Sequence, residues 1–293
     1  MSKQGKSLSR RQMLGMTTMG LSGLAIAEGA GSIFAQARTR TPTRLLSIEA
    51  KPEPIAIDAA RTAVIVVDMQ NDFGAEGGMF HLAGIDISMI RAAVAPTAKV
   101  LAAARHEGIK IIYLKMAFKP DLSDAGPADS PLLTRGLKKF RFGTRVKAPN
   151  GADSRIFIRD TWNTDILSEL TPKELDIVLY KNRFSGFYET ELDSMLKRLG
   201  VKYLIFAGCT TSVCIESTIR DARFRDYLPV VLADCTGEPV GNDLPRSNHE
   251  ASLYLIEKSF GWVSSSNDFI KGLKARSIAM TNKGEPTLKG FGA

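Results

Sequence analysis

The sequence is poor in the residues from which many reactive sites are built. Its 293 residues include three cysteines and three histidines. Three cysteines are too few for a disulfide framework, and the odd number leaves at least one thiol unpaired within the chain. The histidines, His81, His106 and His249, are widely scattered, and no His-x-x-x-His, Cys-x-x-Cys or Asp-x-His spacing occurs. We therefore expect no metal ion and no other cofactor.

Long apolar runs are also missing. No apolar stretch reaches the roughly 18 residues that a transmembrane helix needs, so the sequence predicts no membrane span. The formal charge of +8 arises partly in the first 37 residues, where Lys3, Lys6, Arg10 and Arg11 outnumber Glu28. The rest of the chain mixes basic with acidic residues, whereas nucleic-acid binding needs a clustered basic patch. We therefore expect no nucleic-acid partner.

The amino terminus has the pattern of a bacterial export signal. The adjacent Arg10 and Arg11 precede a mildly apolar run at 15–27, and 35–37 (Ala-Gln-Ala) forms a small-x-small cleavage site. This order is typical of a twin-arginine signal peptide, which we assign to residues 1–37 and which predicts a periplasmic protein. The alternative is a basic tail that contains an arginine pair by chance. The other expected segments are a linker or arm at 38–54, a folded domain at 55–275 and a tail at 276–293.

The remaining sequence alternates strand and helix patterns. Short aliphatic runs predict buried strands, and apolar residues at helical spacing predict the helices between them. Regular alternation with short connections implies parallel strands that are covered by helices on both faces. We therefore predict an α/β fold, a Rossmann-like three-layer α/β/α sandwich around a six-stranded parallel sheet. The expected strands are Val64–Val67, Ile109–Leu114, Asp176–Tyr180, Tyr203–Ala207, Val230–Ala233 and Trp262–Val263.

Two of these strands end in residues suited to proton transfer. Sites in such sheets form at the carboxyl ends of the strands. Asp68 directly follows the first expected strand, where a carboxylate is costly to bury unless it is paired. Lys181 follows the third expected strand, and a buried lysine beside a carboxylate is a common arrangement for proton transfer. Taken singly, Asp68 is also compatible with a capping role and Lys181 with a solvated face.

A third strand end carries a candidate nucleophile. After Tyr203–Ala207, a turn of small residues leads into an expected helix with Cys214 in its first turn. Unpaired N–H groups and the positive helix end favour a thiolate there and can bind an oxyanion. A lone cysteine is more often an inert core residue, which is our interpretation of Cys209 and Cys235. Because no histidine lies in these three segments, Asp68 is the candidate base.

These segments together carry a family resemblance. The blocks concerned are VVDMQNDF with the following Gly77-Gly78, LAGIDIS, KNRFSGF, GCTTSVCIESTIRDA and FGWVSS. Over about residues 55–275 the sequence resembles the isochorismatase-like cysteine hydrolases, and among them most the ureidoacrylate amidohydrolase branch. The resemblance implies a six-stranded parallel sheet, a catalytic triad of Asp68, Lys181 and Cys214, and a cis peptide bond before Thr210. It also implies an oxyanion hole formed by the N–H groups of Thr210 and Cys214.

The loop after the second expected strand departs from this pattern. Nicotinamidases of the superfamily bind a metal there through an Asp-x-His…His loop, but residues 115–121 contain no histidine. Metal and nicotinamide are therefore both disfavoured. In ureidoacrylate hydrolases we expect polar substrate contacts in this loop, including an Asn and a Trp, yet Met116 and Phe118 stand here. The resemblance thus supports the type of reaction better than it supports ureidoacrylate as the substrate. An export signal is also unusual for an enzyme of cytosolic pyrimidine breakdown.

The sequence therefore predicts a cysteine amidohydrolase that cleaves a linear amide or ureido C–N bond through a thioester acyl-enzyme. Two alternatives stay open, an isochorismatase-type hydrolase of vinyl ethers, which needs no thiol, and a non-catalytic periplasmic binding protein on the same scaffold. We expect a small-molecule amide or ureido substrate and a homo-oligomer, either a dimer or a tetramer. Gln70 and Asn71 either contact the substrate or order their loop. The aromatic residues that either wall the pocket or pack in the core are Phe73, Phe118, Phe184, Phe187 and Tyr188.

Overall fold

The computed structural model describes residues 44–241, 243 and 245–275. The expected signal peptide at 1–37 and the expected tail at 276–293 lie outside these residues. The strands are β1 (Leu45–Ile48), β2 (Ile55–Asp58), β3 (Thr62–Val67), β4 (Lys110–Met116), β5 (Arg145–Lys147), β6 (Asp153–Arg155), β7 (Ile177–Lys181), β8 (Tyr203–Cys209), β9 (Leu228–Gly237) and β10 (Trp262–Ser264). The α-helices are α1 (Asn71–Gly74), α2 (Met79–Leu82), α3 (Ser88–His106), α4 (Pro131–Arg135), α5 (Leu192–Arg198), α6 (Glu216–Arg223), α7 (Asn248–Leu255) and α8 (Ser266–Ala275). Shorter 3-10 and π-helical turns cover Ala59–Arg61, Gly136–Phe140, Trp162–Thr164, Ser168–Leu170, Thr211–Ile215 and Ile256–Phe260.

Six parallel strands form the central sheet in the order β10-β9-β8-β3-β4-β7. All six residues of β3 are buried, as expected for an aliphatic strand that is covered on both faces. Because side chains alternate along a strand, Val64 and Val66 pack in one core cluster while Ile65 and Val67 pack in another. The first cluster includes apolar residues of α3 and α8, and the second those of α5 and α6. The predicted three-layer α/β/α sandwich is confirmed.

The segment before the central sheet is more ordered than a linker. The described part of 38–54, which we expected to be a linker or arm, contains β1, and β1 pairs antiparallel with the following β2. Leu46 and Ile48 are fully buried in the same cluster as Phe269 and Leu273 of α8. The alternate apolar residues of β1 therefore extend the core on one side of the domain.

The segment between β4 and β7 contains little regular structure, as its prolines indicate. It holds α4, the π-helical turn Gly136–Phe140 and an antiparallel pair formed by β5 and β6. Its phenylalanine side chains pack in or against the core cluster that also contains Phe73 and Phe80. Among the described residues, no helix is long and apolar enough to cross a membrane.

Candidate active site

Asp68 and Lys181 form a fully buried ion pair at the carboxyl edge of the sheet. Asp68 follows β3 in a left-handed backbone conformation, with φ at 54°, which is uncommon for a residue with a side chain. Lys181 ends β7, two strands away, and pairs in register with Met116 of β4. The Lys181 Nζ lies 2.7 Å from the Asp68 Oδ2, and both side chains are inaccessible to solvent. The Met116 N–H donates to the Asp68 Oδ1 at 2.9 Å, so the intervening strand helps to hold the carboxylate.

Burial and charge act in opposite directions on this pair. Burial raises the pKa of Asp68, while the nearby ammonium of Lys181 offsets part of that rise. Burial alone would lower the pKa of Lys181, but the attraction of Asp68, with a contribution from Cys214, raises it above its ordinary value. The Lys181 Nζ also donates to the Arg183 carbonyl at 3.2 Å. Lys181 is therefore a fixed positive charge next to a carboxyl group that accepts a proton easily.

Cys214 lies within reach of both charged groups. It belongs to the π-helical turn Thr211–Ile215, which follows β8 and precedes α6. Its thiol interacts with the side chains of Asp68 and Lys181. Burial raises the pKa of the thiol, Lys181 lowers it in part and Asp68 raises it further. Burial thus opposes the thiolate that we expected at this position, and α6 begins only after Cys214.

The turn before Cys214 is built against the Asp68 loop. The Cys209–Thr210 peptide bond is cis, as the family resemblance implied. Gly208 has a φ of 128°, and a Cβ atom there would lie 2.0 Å from the Val67 carbonyl oxygen, so only glycine allows β8 to approach β3 this closely. The Cys209 thiol donates to the Asp68 carbonyl at 3.1 Å. These contacts fix the turn relative to the carboxylate.

Two further polar groups that the sequence analysis missed hold the same turn. Glu238 is buried and accepts hydrogen bonds from the Ser212 N–H at 2.8 Å and the Ser212 Oγ at 2.6 Å. His249 places its Nδ1 2.9 Å from the Thr211 Oγ1. The β9 strand runs to Gly237, beyond the expected end at 233, so Glu238 is a carboxylate directly after a strand. The rule that identified Asp68 would have identified Glu238 had that boundary been placed correctly.

Cys214 and Thr210 lie on the wall of a cavity of about 420 Å³. Phe73 and Phe184, two of the expected pocket residues, line the same cavity. Phe73 is buried, whereas Phe184 has 46% of its surface exposed and lies at the rim. The size of the cavity falls in the range of roughly 300–1,000 Å³ that is usual for small-molecule sites.

The two polar residues of the Asp68 loop that could contact the substrate bond instead to the backbone of other segments. Gln70 is fully buried, accepts from the Met116 N–H at 2.7 Å and donates to the Met116 carbonyl at 3.0 Å. Asn71 donates to the Trp162 carbonyl at 2.7 Å and lines a different, more open groove. Neither residue lines the cavity at Cys214. Both order the loop, since the backbone groups that they satisfy come from distant segments of the chain.

Three of the five expected aromatic contacts also lie away from the cavity. Phe118 is fully buried behind the cavity wall, with its ring in contact with those of other phenylalanines. Phe187 packs in the second core cluster and stacks on Tyr227. Tyr188 is 45% exposed and carries the Arg183 guanidinium over its ring. Core packing accounts for Phe118 and Phe187, and surface stacking accounts for Tyr188. The order of aromatic residues in the sequence does not show whether a ring points into the core, into a cavity or to the surface.

The described residues do not provide a cluster of metal ligands. In the part of the chain that the structure describes, no three His, Cys, Asp or Glu side chains come together in a way that could hold an ion. The Asp68 carboxylate already faces the Lys181 ammonium, which occupies the position that a cation would take.

Comparisons with known proteins agree with this architecture. The isochorismatase domain model matches residues 62–268. The ureidoacrylate amidohydrolase RutB of Methylorubrum extorquens is 40% identical over 221 residues, which are 75% of this chain and 85% of that protein. The RutB protein of Serratia proteamaculans is 40% identical over 230 residues, covering 78% of this chain and 90% of the relative.

Solved structures show the same fold. A cysteine hydrolase from Pseudomonas syringae pv. phaseolicola matches with a TM-score of 0.62 and 27% identity, over 75% of this chain and 96% of that one. An isochorismatase family protein from Desulfovibrio vulgaris matches with a TM-score of 0.58 and 26% identity, over 73% and 98% of the two chains. With its fold, its strand-end residues and its domain match in agreement, the chain belongs to the isochorismatase family of hydrolases.

Proposed function

We propose that this protein is a cysteine amidohydrolase that cleaves a linear amide or ureido C–N bond through a thioester. The observation that carries the proposal is the buried Asp68–Lys181 ion pair in contact with Cys214 on the wall of a cavity. A base, a positioned cation and a thiol are the groups that acyl transfer to cysteine requires. The ureidoacrylate amidohydrolases at about 40% identity support an amide or ureido substrate.

In the proposed first half-reaction, Asp68 takes the proton of the Cys214 thiol as the sulfur attacks the substrate carbonyl carbon. The N–H groups of Thr210 and Cys214 stabilise the oxyanion of the tetrahedral intermediate. Asp68 then gives the proton to the departing nitrogen, the C–N bond breaks, and ammonia or an amine leaves. The acyl group remains on Cys214 as a thioester.

In the second half-reaction, Asp68 removes a proton from a water molecule that attacks the thioester carbonyl. The resulting intermediate collapses, the C–S bond breaks, and the proton returns to the sulfur as the acid product leaves. Lys181 stays charged throughout and keeps Asp68 oriented. Burial raises the pKa of both Asp68 and Cys214, so each of them binds the shared proton firmly. The proton can then pass from Cys214 to Asp68 during the attack, and no free thiolate has to form beforehand.

Hydroxylamine partitioning tests the thioester. Amides that share one acyl group but differ in the leaving amine form the same acyl-enzyme, so hydroxylamine should divert each to hydroxamate and acid in the same ratio. Cys214→Ala should abolish both products, and Cys214→Ser should lose most of the rate because a hydroxyl ionises far less readily than a thiol. Ratios that change with the leaving amine, or near-normal rates in either variant, would contradict the proposal.

The same assay separates the alternatives. An isochorismatase-type hydrolase would cleave a vinyl ether in the Cys214→Ala variant, since that reaction needs no nucleophilic sulfur. A non-catalytic binding protein would release no ammonia from any amide. The buried ion pair argues against a binding protein, because keeping two charges out of water is costly and binding alone does not require it. The thiol beside the pair argues against the vinyl-ether reaction, which needs no sulfur.

We also propose that the twin-arginine pattern directs the protein to the periplasm. The support is the order of Arg10-Arg11, the mildly apolar run and the Ala35–Ala37 site in the sequence. Replacing both arginines by lysine should retain the protein in the cytoplasmic fraction of bacterial cells. Unchanged fractionation would contradict the assignment.

A homo-oligomer remains our proposal for the assembly, as a dimer or a tetramer. Its support is the exposed apolar surface at one edge of the sheet, where Val178 of β7 is 42% exposed and Leu175, just before β7, is 90% exposed. Sedimentation velocity of the wild type and of Leu175→Glu tests this. A monomer at micromolar concentration would contradict it.

A further inference from the structure

Five phenylalanine rings on the wall of the candidate cavity contact one another in a closed circuit. Phe73 contacts Phe80 at 5.0 Å and Phe157 at 5.3 Å between ring centroids. Phe157 contacts Phe142 at 4.7 Å, Phe142 contacts Phe140 at 6.3 Å, and Phe140 closes the circuit with Phe80 at 6.1 Å. All five line the cavity that holds Cys214. We call them the aromatic collar.

The collar is assembled from remote segments. Phe73 and Phe80 follow β3, while the other three come from the segment between β4 and β7. Gly136 faces Phe142 so closely that a Cβ atom would lie 2.1 Å from the ring. The absence of a side chain at this position lets Phe142 pack inward. The collar therefore forms only where these two segments pack against each other.

Most of the polar groups of the cavity lie in two places, apart from Asn248 of α7. Thr210, Ser212, Cys214 and Glu238 line the side formed by the nucleophile turn and the end of β9. The other polar groups include Arg135 and Lys139, which are both exposed. Between these places the wall is phenylalanine with other apolar side chains. A small polar ureido acid would leave that wall in contact with water.

We propose that the substrate of this site is an amide or carbamoyl compound with a bulky, aromatic side group that occupies the collar. The inference rests on the proposed amidohydrolase function and narrows its substrate class. Aromatic rings pack favourably against phenylalanine edges and faces at the separations found in the collar. A cavity of about 420 Å³ also has room for a scissile amide group and a ring together. The bond to be cleaved then lies at Cys214 while the ring fills the apolar part.

Two matched substrate pairs test the proposal. Propionamide and 3-phenylpropionamide differ by one phenyl group, as do N-carbamoyl-alanine and N-carbamoyl-phenylalanine. The second pair keeps the same carboxylate, so any contribution of Arg135 or Lys139 cancels. In at least one pair we expect the phenyl compound to have a kcat/KM about 10- to 100-fold higher, as burial of an aromatic side chain predicts. A ratio near one in both pairs would overturn the proposal.

Variants locate the effect in the collar. Phe140→Ala removes a partly buried collar ring and should lower the phenyl preference by about ten-fold. Phe224→Ala is the matched control, because Phe224 is 71% exposed on the α6 carboxyl end and does not line the cavity. If Phe140→Ala keeps the full preference, the collar does not bind the ring. Binding to the Cys214→Ala variant, measured by calorimetry, gives the same comparison without turnover.

The outcomes separate the two proposals. Cys214-dependent ammonia release with no phenyl preference would overturn the substrate inference and leave the amidohydrolase function intact. No ammonia release from any of the four compounds, with phenyl-selective binding to the Cys214→Ala variant, would overturn the amidohydrolase function and leave the collar as an aromatic binding site. Neither release nor selective binding would overturn both.

Discussion

Replacing Lys181 by methionine should make the stability of the protein depend steeply on pH. At 2.7 Å and an effective dielectric constant of about 20, Coulomb's law gives an attraction of about 6 kcal/mol between the two buried charges. The Lys181→Met variant keeps the apolar stem but loses this attraction. Breaking a buried pair in this way typically costs about 3–5 kcal/mol, because one charge remains without a partner.

The pH dependence follows from the Asp68 carboxyl. Burial raises its pKa in the folded protein, and removal of the ammonium takes away the main opposing effect. A folded pKa above the unfolded value of about 3.9 means that the folded state binds the proton more tightly. Stability is then greatest below that unfolded value and falls by about 1.4 kcal/mol per pH unit as the pH rises towards the folded pKa. As the pH rises above the unfolded value, the variant should therefore lose more stability than the wild type does.

Urea unfolding at pH 5, 6 and 7 measures this slope, with the fluorescence of Trp162 and Trp262 as the signal. Asp68→Asn combined with Lys181→Met should remove the added slope, since no titrating carboxyl remains. Lys197→Met is the matched control, because the Lys197–Asp193 pair has the same 2.7 Å separation but is exposed, and it should cost less than about 1 kcal/mol. Equal slopes in the wild type and in Lys181→Met would refute the reasoning that Lys181 keeps Asp68 charged.

Three further predictions follow from the same region. Cys209→Ala should keep most of the activity, since the Cys209 thiol only donates to the Asp68 carbonyl. If kcat/KM fell as far as it does in Cys214→Ala, Cys209 would have a chemical role. Gly208→Ala should lower the urea midpoint strongly because its Cβ would meet the Val67 carbonyl, whereas Gly84→Ala, at a positive φ but in open space, should cost only about 1 kcal/mol. Dialysis against a chelator should leave ammonia release unchanged, and a large loss that zinc, iron or manganese restores would reveal a metal site.

The sequence by itself predicted the fold and singled out the candidate site residues. Aliphatic runs that alternate with helical patterns are local signals, and they predicted the parallel sheet of six strands. Parallel strands bring their carboxyl ends to one edge, so Asp68, Lys181 and Cys214 could be singled out although they lie far apart along the chain. The structure brings these three side chains together, as expected from their strand ends.

Only the tertiary structure decided how buried the site is and what surrounds it. The thiol of Cys214 carries a raised pKa because segments remote in sequence exclude water from it. Gln70 and Phe118 have side chains suited to a pocket, yet Gln70 bonds to the backbone of Met116 and Phe118 packs against Phe142. The aromatic collar escaped the sequence analysis because no periodicity relates Phe73 to Phe142. Periodic patterns report the face that a residue takes within its own element, whereas cavity walls, burial and pKa values depend on contacts between elements that the local sequence does not encode.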